Sequence, residues 1–513
     1  MTGTRTLAAA WLLAGRRALT RSFRLHRPRG AFCHRGWCQQ CKIRGPDGRV
    51  VLACMTDEGQ HATPPHAVDP LRAVGRLAER LPPWLYERHA IGPEPVRQLY
   101  LEVMRRMSAA PRLSASSRNE ARASTERRHC DTLVIGGGVS GLVAAVALAG
   151  AGRRVVLVEA ATLGGTALDR PVEQAVVAPL IAAARASLAC LERTLCAGLY
   201  EEPRRALCVG PAGNLVVQFR ELVVASGAYD RIPTVVGNDL PGIIGVRGFE
   251  RLAALRAIPD TLSIGVYGLT TETQRAFAAA ADAGIRIAFA AGPADLPETP
   301  IRRHPGTRLI AVHGKGEVKR VTLAGVGQIA CDMLVTGFSQ PGYELQAQNG
   351  CAMELRGEPP IVWPMNSGRA PMLVVGEAAG WFEREAQAER SARAVAQWRL
   401  DGQCPAAPEW THAPLERVSP HDDAFVCLCE DVRVRDVRAA IADGYRDVEL
   451  IKRHTGAATG PCQGKLCHGA LLGCTADAGL EVRIPTPRPL VRPVAIADLA
   501  GAGACAEQPT ETR

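Results

Sequence analysis

Read for its alternation of apolar and polar positions, the chain changes character at Asp131. Thr132-Leu133-Val134-Ile135 is a short β run, glycines follow, and an apolar helix runs from Leu142 to Ala149 before a second β run, Arg154 to Val158. That β–α–β order predicts a parallel α/β sheet, and similar alternation continues to about residue 400. Upstream, Leu71, Val74, Leu77 and Leu81 keep the three-to-four spacing of a helix within residues 67–110. Residues 108–128 are rich in Ser, Ala and Arg with almost nothing apolar, which reads as a linker. Downstream, a Pro-rich stretch over 404–420 precedes a compact Cys/Gly unit, 425–475, and a tail with prolines at 485, 487, 489 and 493 that reads as extended. No apolar run approaches the ~18 residues of a membrane span, so an integral membrane protein is not expected. The apolar stretch Thr6 to Ala14 runs straight into Arg16-Arg17, which disfavours a secretory signal.

With 513 residues, 47% of them hydrophobic, the chain has room for three or four folded units. The formal charge of +10 comes from scattered arginines, and aromatic residues make up only 4%. No basic run is interleaved with stacking residues, so a solvated basic surface is the reading and nucleic acid is not an expected partner. Seventeen cysteines matter more. Eight fall in two tight sets, which favours metal ligation and a reducing, cytoplasmic compartment over disulfides; the other nine read as small buried hydrophobes.

Gly136-Gly137-Gly138-Val139-Ser140-Gly141 carries the G-x-G-x-x-G spacing, after a strand and at the start of a helix. Gly136 permits the tight turn, Gly138 lets the backbone approach a pyrophosphate, and Gly141 allows close helix–strand packing. Ser140 lies in the same turn, at a helix N-terminus that favours anions. Glu159, 23 residues after Gly136 at the end of the next strand, is placed to accept from a ribose hydroxyl. Two later segments, Val223 to Tyr229 with Ala225 and Gly227, and Leu373 to Gly380 with Gly376 and Glu377, resemble the two late motifs of two-dinucleotide flavoprotein reductases. That resemblance implies FAD. Glu377 stands where the family has Asp, which puts its contact to the ribityl chain in question. Between these segments a second β–α–β places Gly268, Thr270 and Thr273 at the three glycine positions, and the following strand ends in Ala291 instead of an acid. A working NAD(P) site and a degenerate fold half both remain open there, the threonines favouring the second.

Cys33-x4-Cys38-x2-Cys41, with Cys54 following after twelve intervening residues, has the spacing of a plant-type [2Fe–2S] loop; a zinc knuckle is the rival. The second set, Cys427-x-Cys429 and Cys462-x4-Cys467 across a 32-residue spacer, resembles the bacterioferritin-associated ferredoxin-like [2Fe–2S] domain. Zinc or an empty scaffold is the alternative. His468 reads as a solvated loop residue rather than a ligand.

Arg21-Ser22-Phe23-Arg24-Leu25-His26-Arg27-Pro28-Arg29-Gly30, the segment Leu81-Pro82-Pro83-Trp84-Leu85-Tyr86 and the Pro-rich tail resemble α subunits of heterotetrameric sarcosine oxidase. Those of proline and hydroxyproline dehydrogenases, opine oxidases and hydrogen cyanide synthase are similar. The resemblance implies an α/β, two-dinucleotide-binding (Rossmann-like) flavoprotein core flanked by a small N-terminal ferredoxin-like domain and a small α-rich C-terminal [2Fe–2S] domain. The implied limits are 1–66 for the ferredoxin-like module, 67–128 for a helical segment and linker, and 129–262 for the first FAD-binding part. A degenerate second dinucleotide domain spans 263–339, the second FAD-binding part 340–403, the C-terminal cluster domain 404–475 and the tail 476–513. The hairpin expected before Thr6 is missing, so the first module reads as truncated, and without the large C-terminal folate-binding domain of sarcosine oxidase α, tetrahydrofolate chemistry is not expected. The family implies FAD, two [2Fe–2S] clusters, a flavin-dependent, amino-acid-oxidase-like β subunit that oxidises an amino acid or amine, and a separate electron acceptor. Association with a membrane would be peripheral, through the complex. A self-sufficient NAD(P)H-dependent ferredoxin-type reductase is the alternative.

Overall fold

A computed structural model describes residues 5–45, 50–60, 93–99, 102, 125–200, 204–268, 270–293, 301–356, 361–364, 371–401, 421–494 and 499. Of the expected helical stretch 67–110, residues 94–99 are helical; Leu71, Val74, Leu77, Leu81, the segment 81–86, most of the linker and the Pro-rich stretch 404–420 lie outside the described residues.

The N-terminal apolar stretch is a buried helix, α1 (Leu7–Leu13), whose N-cap Thr6 accepts from Ala9 N–H at 3.4 Å. Two short antiparallel pairs follow, β1 (Thr20–Arg21) with β2 (Pro28–Arg29), and β3 (Lys42–Arg44) with β4 (Val50–Leu52). The next strand, β5 (Thr125–Ile135), begins inside the stretch read as linker. Its polar start pairs in register with Asn214 to Val217, and the charged side chains stay largely exposed, so no apolar alternation marks it in sequence. After it come α2 (Val139–Gly150), β6 (Val155–Val158), α3 (Pro171–Ser187), β7 (Ala189–Leu191), β8 (Leu195–Tyr200), β9 (Arg205–Gly210) and β10 (Gly213–Val224). The sheet order is β7-β6-β5-β10-β9-β8. A late strand, Met372–Val374, pairs in parallel with the end of β10. Because β6, β5, β10 and this late strand run parallel, Gly136, Glu159, Ala225 and Gly376 all lie at their carboxyl ends, where open α/β sheets bind ligands.

A second sheet is wholly parallel. It comprises β11 (Ile243–Gly245), followed by α4 (Val246–Ala254); β12 (Ile264–Gly268), followed by α5 (Thr270–Ala283); and β13 (Ile287–Ala291), β14 (Arg302–His304) and β15 (Met333–Gly337), in the order β11-β15-β12-β13-β14. The C-terminal unit holds α6 (Val434–Ala442), α7 (Val448–Thr455) and α8 (His468–Asp477). One hydrophobic core joins it to the N-terminal unit and the second sheet: Phe32 and Trp37, Tyr267 and Phe338, Val426 and Leu471 all belong to it. Beyond α8 the chain runs without regular structure along β8, where Val491 N–H donates to Ala197 O at 2.8 Å.

The link between the first and last units is ionic as well as apolar. Asp431 is fully buried; Arg27 Nε donates to its Oδ1 at 2.6 Å, and Arg24 and Leu25 N–H donate to its Oδ2 at 3.2 and 3.0 Å. Burial would raise its pKa, but Arg27 and Arg29 outweigh it and hold the carboxyl below the ordinary range. Asp431→Ala leaves Arg27 buried beside a lost partner and should cost about 3–5 kcal/mol. The expected outcome is a lower denaturation midpoint at unchanged m-value.

Candidate functional site

The first site is a cleft of about 600 Å³ running from the glycine turn to Glu377, with Gly138, Ser140, Arg170, Arg275 and Gly376 in its wall. Each glycine of the turn has a distinct physical constraint. Gly136 has φ 106°, and a Cβ there would lie 2.2 Å from Ala225 O. A Cβ on Gly141 would lie 1.9 Å from Gly136 O, whereas one on Gly138 would meet nothing within 4 Å. So the turn is closed on the sheet side and open at Gly138, the face a pyrophosphate needs. Ser140 Oγ is buried without a partner and would be 2.5 Å from a Cβ on Gly376. An unpartnered hydroxyl at a helix N-terminus fits a phosphate oxygen. Glu159 braces the turn, accepting from Gly137 N–H at 2.6 Å through Oε2 and from Ala161 N–H at 2.7 Å through Oε1. Gly136→Ala combines a positive φ with a direct clash on backbone. The expected result is a chain that purifies with little bound nucleotide, read as lost absorbance of the released cofactor.

Glu377 departs from a simple strand-end acid. Its longer side chain is drawn into a buried charge web. Arg247 Nε donates to Oε2 at 3.1 Å, and Arg275 Nη1 donates to Oε1 at 2.9 Å. Arg247 also binds Asp230 at 2.6 Å, Arg275 binds Glu250 at 2.8 Å, and Arg384 joins Glu250 at 3.0 Å to Glu173 at 2.7 Å. Burial is the largest influence on Glu377 and would raise its pKa; Arg247, Arg275 and Arg384 together overcome it and bring it down to about 2. Both oxygens therefore already accept from guanidinium groups, leaving only their remaining lone pairs for a bound ligand. None of these arginines stood out in sequence: Arg247 and Arg275 lie on α4 and α5, where a charged residue looks like a solvated helix face.

The second β–α–β differs from the first at the turn. A Cβ on Gly268 would lie 2.7 Å from Gly337 Cα, and one on Gly337 would lie 2.7 Å from Glu272 Cβ. Thr273 is fully buried. The start of α5 is thus packed onto β15, and its Arg275 serves the first site. The side chain of Thr270 lies outside the described residues.

All eight candidate cysteine ligands are buried. In the N-terminal set Cys33 makes side-chain hydrogen bonds with Cys38 and Cys54, and Cys54 with Cys41. Arg35 and Cys38 N–H both donate to Cys33 Sγ at 3.4 Å, so the loop turns backbone donors inward; His34, Gly36 and Gln39 take positive φ to do so. In the C-terminal set the contacts close a ring: Cys427 with Cys429, Cys429 with Cys462, Cys462 with Cys467, and Cys467 with Cys427. Among the described residues no group of three or more His, Cys, Asp or Glu is arranged around a single metal ion. Four buried thiols brought together are the ligand number that two irons, each taking two thiolates, require. His468 is not a solvated loop residue. It is buried at the first turn of α8 and hydrogen-bonded to Tyr343 Oη, because Gly464 of the ligand loop packs directly on its ring. Burial lowers its pKa to about 4 and keeps it neutral.

The first cysteine set and the cleft are contiguous. Arg35, in the first cysteine loop, donates to Arg247 O at 3.3 Å and pairs with Asp169. Trp37 lies 5.1 Å from Tyr229, two residues past Gly227.

Family models match at three places: a 2Fe-2S iron-sulfur cluster binding domain over residues 3–59, an NAD(P)-binding Rossmann-like domain over 134–187, and the sarcosine oxidase A3 domain over 421–503. The class is therefore an α/β, Rossmann-like fold with an N-terminal 2Fe–2S cluster binding domain. The chain is 27% identical over 577 residues to the sarcosine oxidase subunit alpha of Rhizobium meliloti, covering 97% of this chain and 56% of that protein. It is 25% identical over 422 residues to the hydrogen cyanide synthase subunit HcnB of Pseudomonas aeruginosa, covering 66% of this chain and 90% of that one. The crystal structure of L-proline dehydrogenase from P. horikoshii shares the fold, with a TM-score of 0.69 at 18% identity over 96% of this chain and 94% of that one. The chain is similar to sarcosine oxidase α subunits, and it spans about half the length of those it matches.

Proposed function

We propose that this chain is the electron-transfer subunit of a multisubunit, FAD-dependent amino-acid or amine dehydrogenase. Substrate oxidation takes place on a flavin-bearing β subunit, and this chain passes the electrons to an acceptor. The observation that carries the reading is spatial: the first of two buried cysteine quartets is contiguous, through Arg35, Arg247 and Glu377, with an open dinucleotide cleft. When bound, FAD accepts electrons in pairs and releases them singly, which is what two [2Fe–2S] clusters require.

The residues have separate tasks. Gly136, Gly138, Ser140 and Gly141 present the open turn to the pyrophosphate, and Glu159 fixes that turn while offering remaining lone pairs to the ribose. Ala225, Gly227, Gly376 and Glu377 form the far wall. Cys33, Cys38, Cys41 and Cys54 hold one cluster; Cys427, Cys429, Cys462 and Cys467 hold the other. The fifteen described cysteines are all free thiols, which suits a cytoplasmic setting. No helix among the described residues is long and apolar enough to cross a membrane.

The self-sufficient NAD(P)H reductase is the second reading, and the packed turn at Gly268 weighs against it. The test is to co-purify the complex, identify the partner, and assay amine-dependent dye reduction by the complex and by this chain alone. Activity only in the complex is expected. Amine oxidation by the chain alone, or rapid NADH oxidation, would overturn the proposal.

A further inference from the structure

The two cysteine quartets are separated by almost the whole sequence, and in sequence they bracket the flavoprotein core. In space they are neighbours. Gln40, between the ligand positions Cys38 and Cys41, is buried, and its Nε2 lies 3.3 Å from Cys429 Sγ and 3.3 Å from Cys38 O. One amide nitrogen therefore bridges the backbone of one ligand loop and a ligand sulfur of the other quartet. The same face of the N-terminal unit brings a positive group to the second quartet. Arg29 Nη2 donates to Cys429 O at 2.6 Å and to Leu428 O at 2.8 Å.

Consecutive Cα atoms are about 3.8 Å apart, so Gln40 is one short step from Cys41 and two from Cys38. We infer that the two quartets form one coupled pair of redox centres, with Gln40 as the positioning residue that joins them and sets the potential of the C-terminal centre. This rests on the proposal that both quartets hold [2Fe–2S] clusters. An N–H donor on a ligand sulfur favours the more negative, reduced state of a cluster, and hydrogen bonds to sulfur are among the determinants of cluster potential. Exchange within the pair is a single electron, lost by one centre and gained by the other, with no bond made or broken. The order along the protein then follows from contact. The N-terminal quartet, whose loop carries Arg35 and Trp37, faces the dinucleotide cleft, and the C-terminal quartet lies beyond Gln40.

The test uses the whole purified chain or its complex, with iron and sulfide measured first. In the fully dithionite-reduced protein, low-temperature EPR should show signals split or broadened by interaction between two paramagnetic centres, and a half-reduced sample should show one unsplit signal. A potentiometric titration of Gln40→Leu should move the midpoint of one centre to more negative potential and leave the other near its original value. A fully reduced spectrum that is the plain sum of two isolated signals overturns the inference, as does a Gln40→Leu protein with both midpoints unchanged. A protein with iron and sulfide for fewer than two clusters overturns the cofactor proposal beneath it, and the metal analysis alone makes that distinction.

Discussion

Arg247→Met should lower stability by about 3–5 kcal/mol and leave the chain unable to retain its nucleotide, because it removes the cation that bridges two buried carboxylates: Asp230 loses its close ion pair, and Glu377 is left with Arg275. The Arg247 side chain is 2% exposed, and it neutralises Asp230 and Glu377 at 2.6 and 2.8 Å while Nη1 also donates to Ser339 Oγ at 3.0 Å. Methionine matches the length of the stem and returns neither the charge nor the donors. The check is denaturant unfolding together with the nucleotide content of the purified protein; a midpoint within error of the unmodified chain would contradict this account. A pH dependence accompanies it. Glu377 is held below its ordinary value of 4.5, at about 2, so its stabilising contribution is complete above about 4.5 and is lost as the pH falls toward 2. Asp230 works in the opposite sense: burial raises its pKa despite Arg247, so its contribution is greatest at low pH and falls as the pH rises through that raised value. In Arg247→Met, Glu377 loses its strongest cationic partner, and the stability it adds between pH 2 and 4.5 should shrink.

Cys38→Ser and Cys462→Ser should each abolish one iron–sulfur centre and spare the other. With two clusters the chain carries about four irons and four acid-labile sulfides, and each variant should retain about half. Serine replaces a soft thiolate with a hard, weakly acidic hydroxyl that competes poorly for iron. Visible absorbance between the variants and the parent separates the two centres, and amine-dependent dye reduction by the complex should slow in both. Unchanged turnover in either variant would remove that centre from the route. Zinc in place of iron in the parent would refute the assignment of the quartets.

Much of this architecture was visible in the sequence, for physical reasons that differ from place to place. The glycine turn was legible because only glycine tolerates the contacts at positions 136 and 141, so the residue type records the geometry. Within the cysteine sets, short spacings such as Cys38-x2-Cys41 and Cys462-x4-Cys467 marked candidates, and the strands after Asp131 show themselves through apolar pattern, whereas helix α1 was seen only as an apolar stretch. The charge web was not. Arg247, Glu250 and Arg275 satisfy one another across elements that are distant in sequence, and nothing local to any of them distinguishes a buried pair from a solvated one. The placement of the quartets side by side was equally hidden, since it is fixed by long-range contacts such as Gln40 with Cys429. His468 was misread for the same reason: its partner, Tyr343, is 125 positions away. The polar start of β5 was hidden by its own chemistry, because a backbone ladder leaves no mark on side-chain hydropathy.

The pairing of Arg27 with Asp431 spans 404 positions. At ribosomal speeds of about 5–20 residues per second, the first cysteine loop emerges roughly 20–80 s before the surface that encloses it exists. During that interval its thiols are accessible to metal and to oxidants, and afterwards they are enclosed. On the proposal that the first loop holds a cluster, its maturation would be timed by translation of the far unit, making the window for cofactor insertion a property of chain synthesis as much as of affinity.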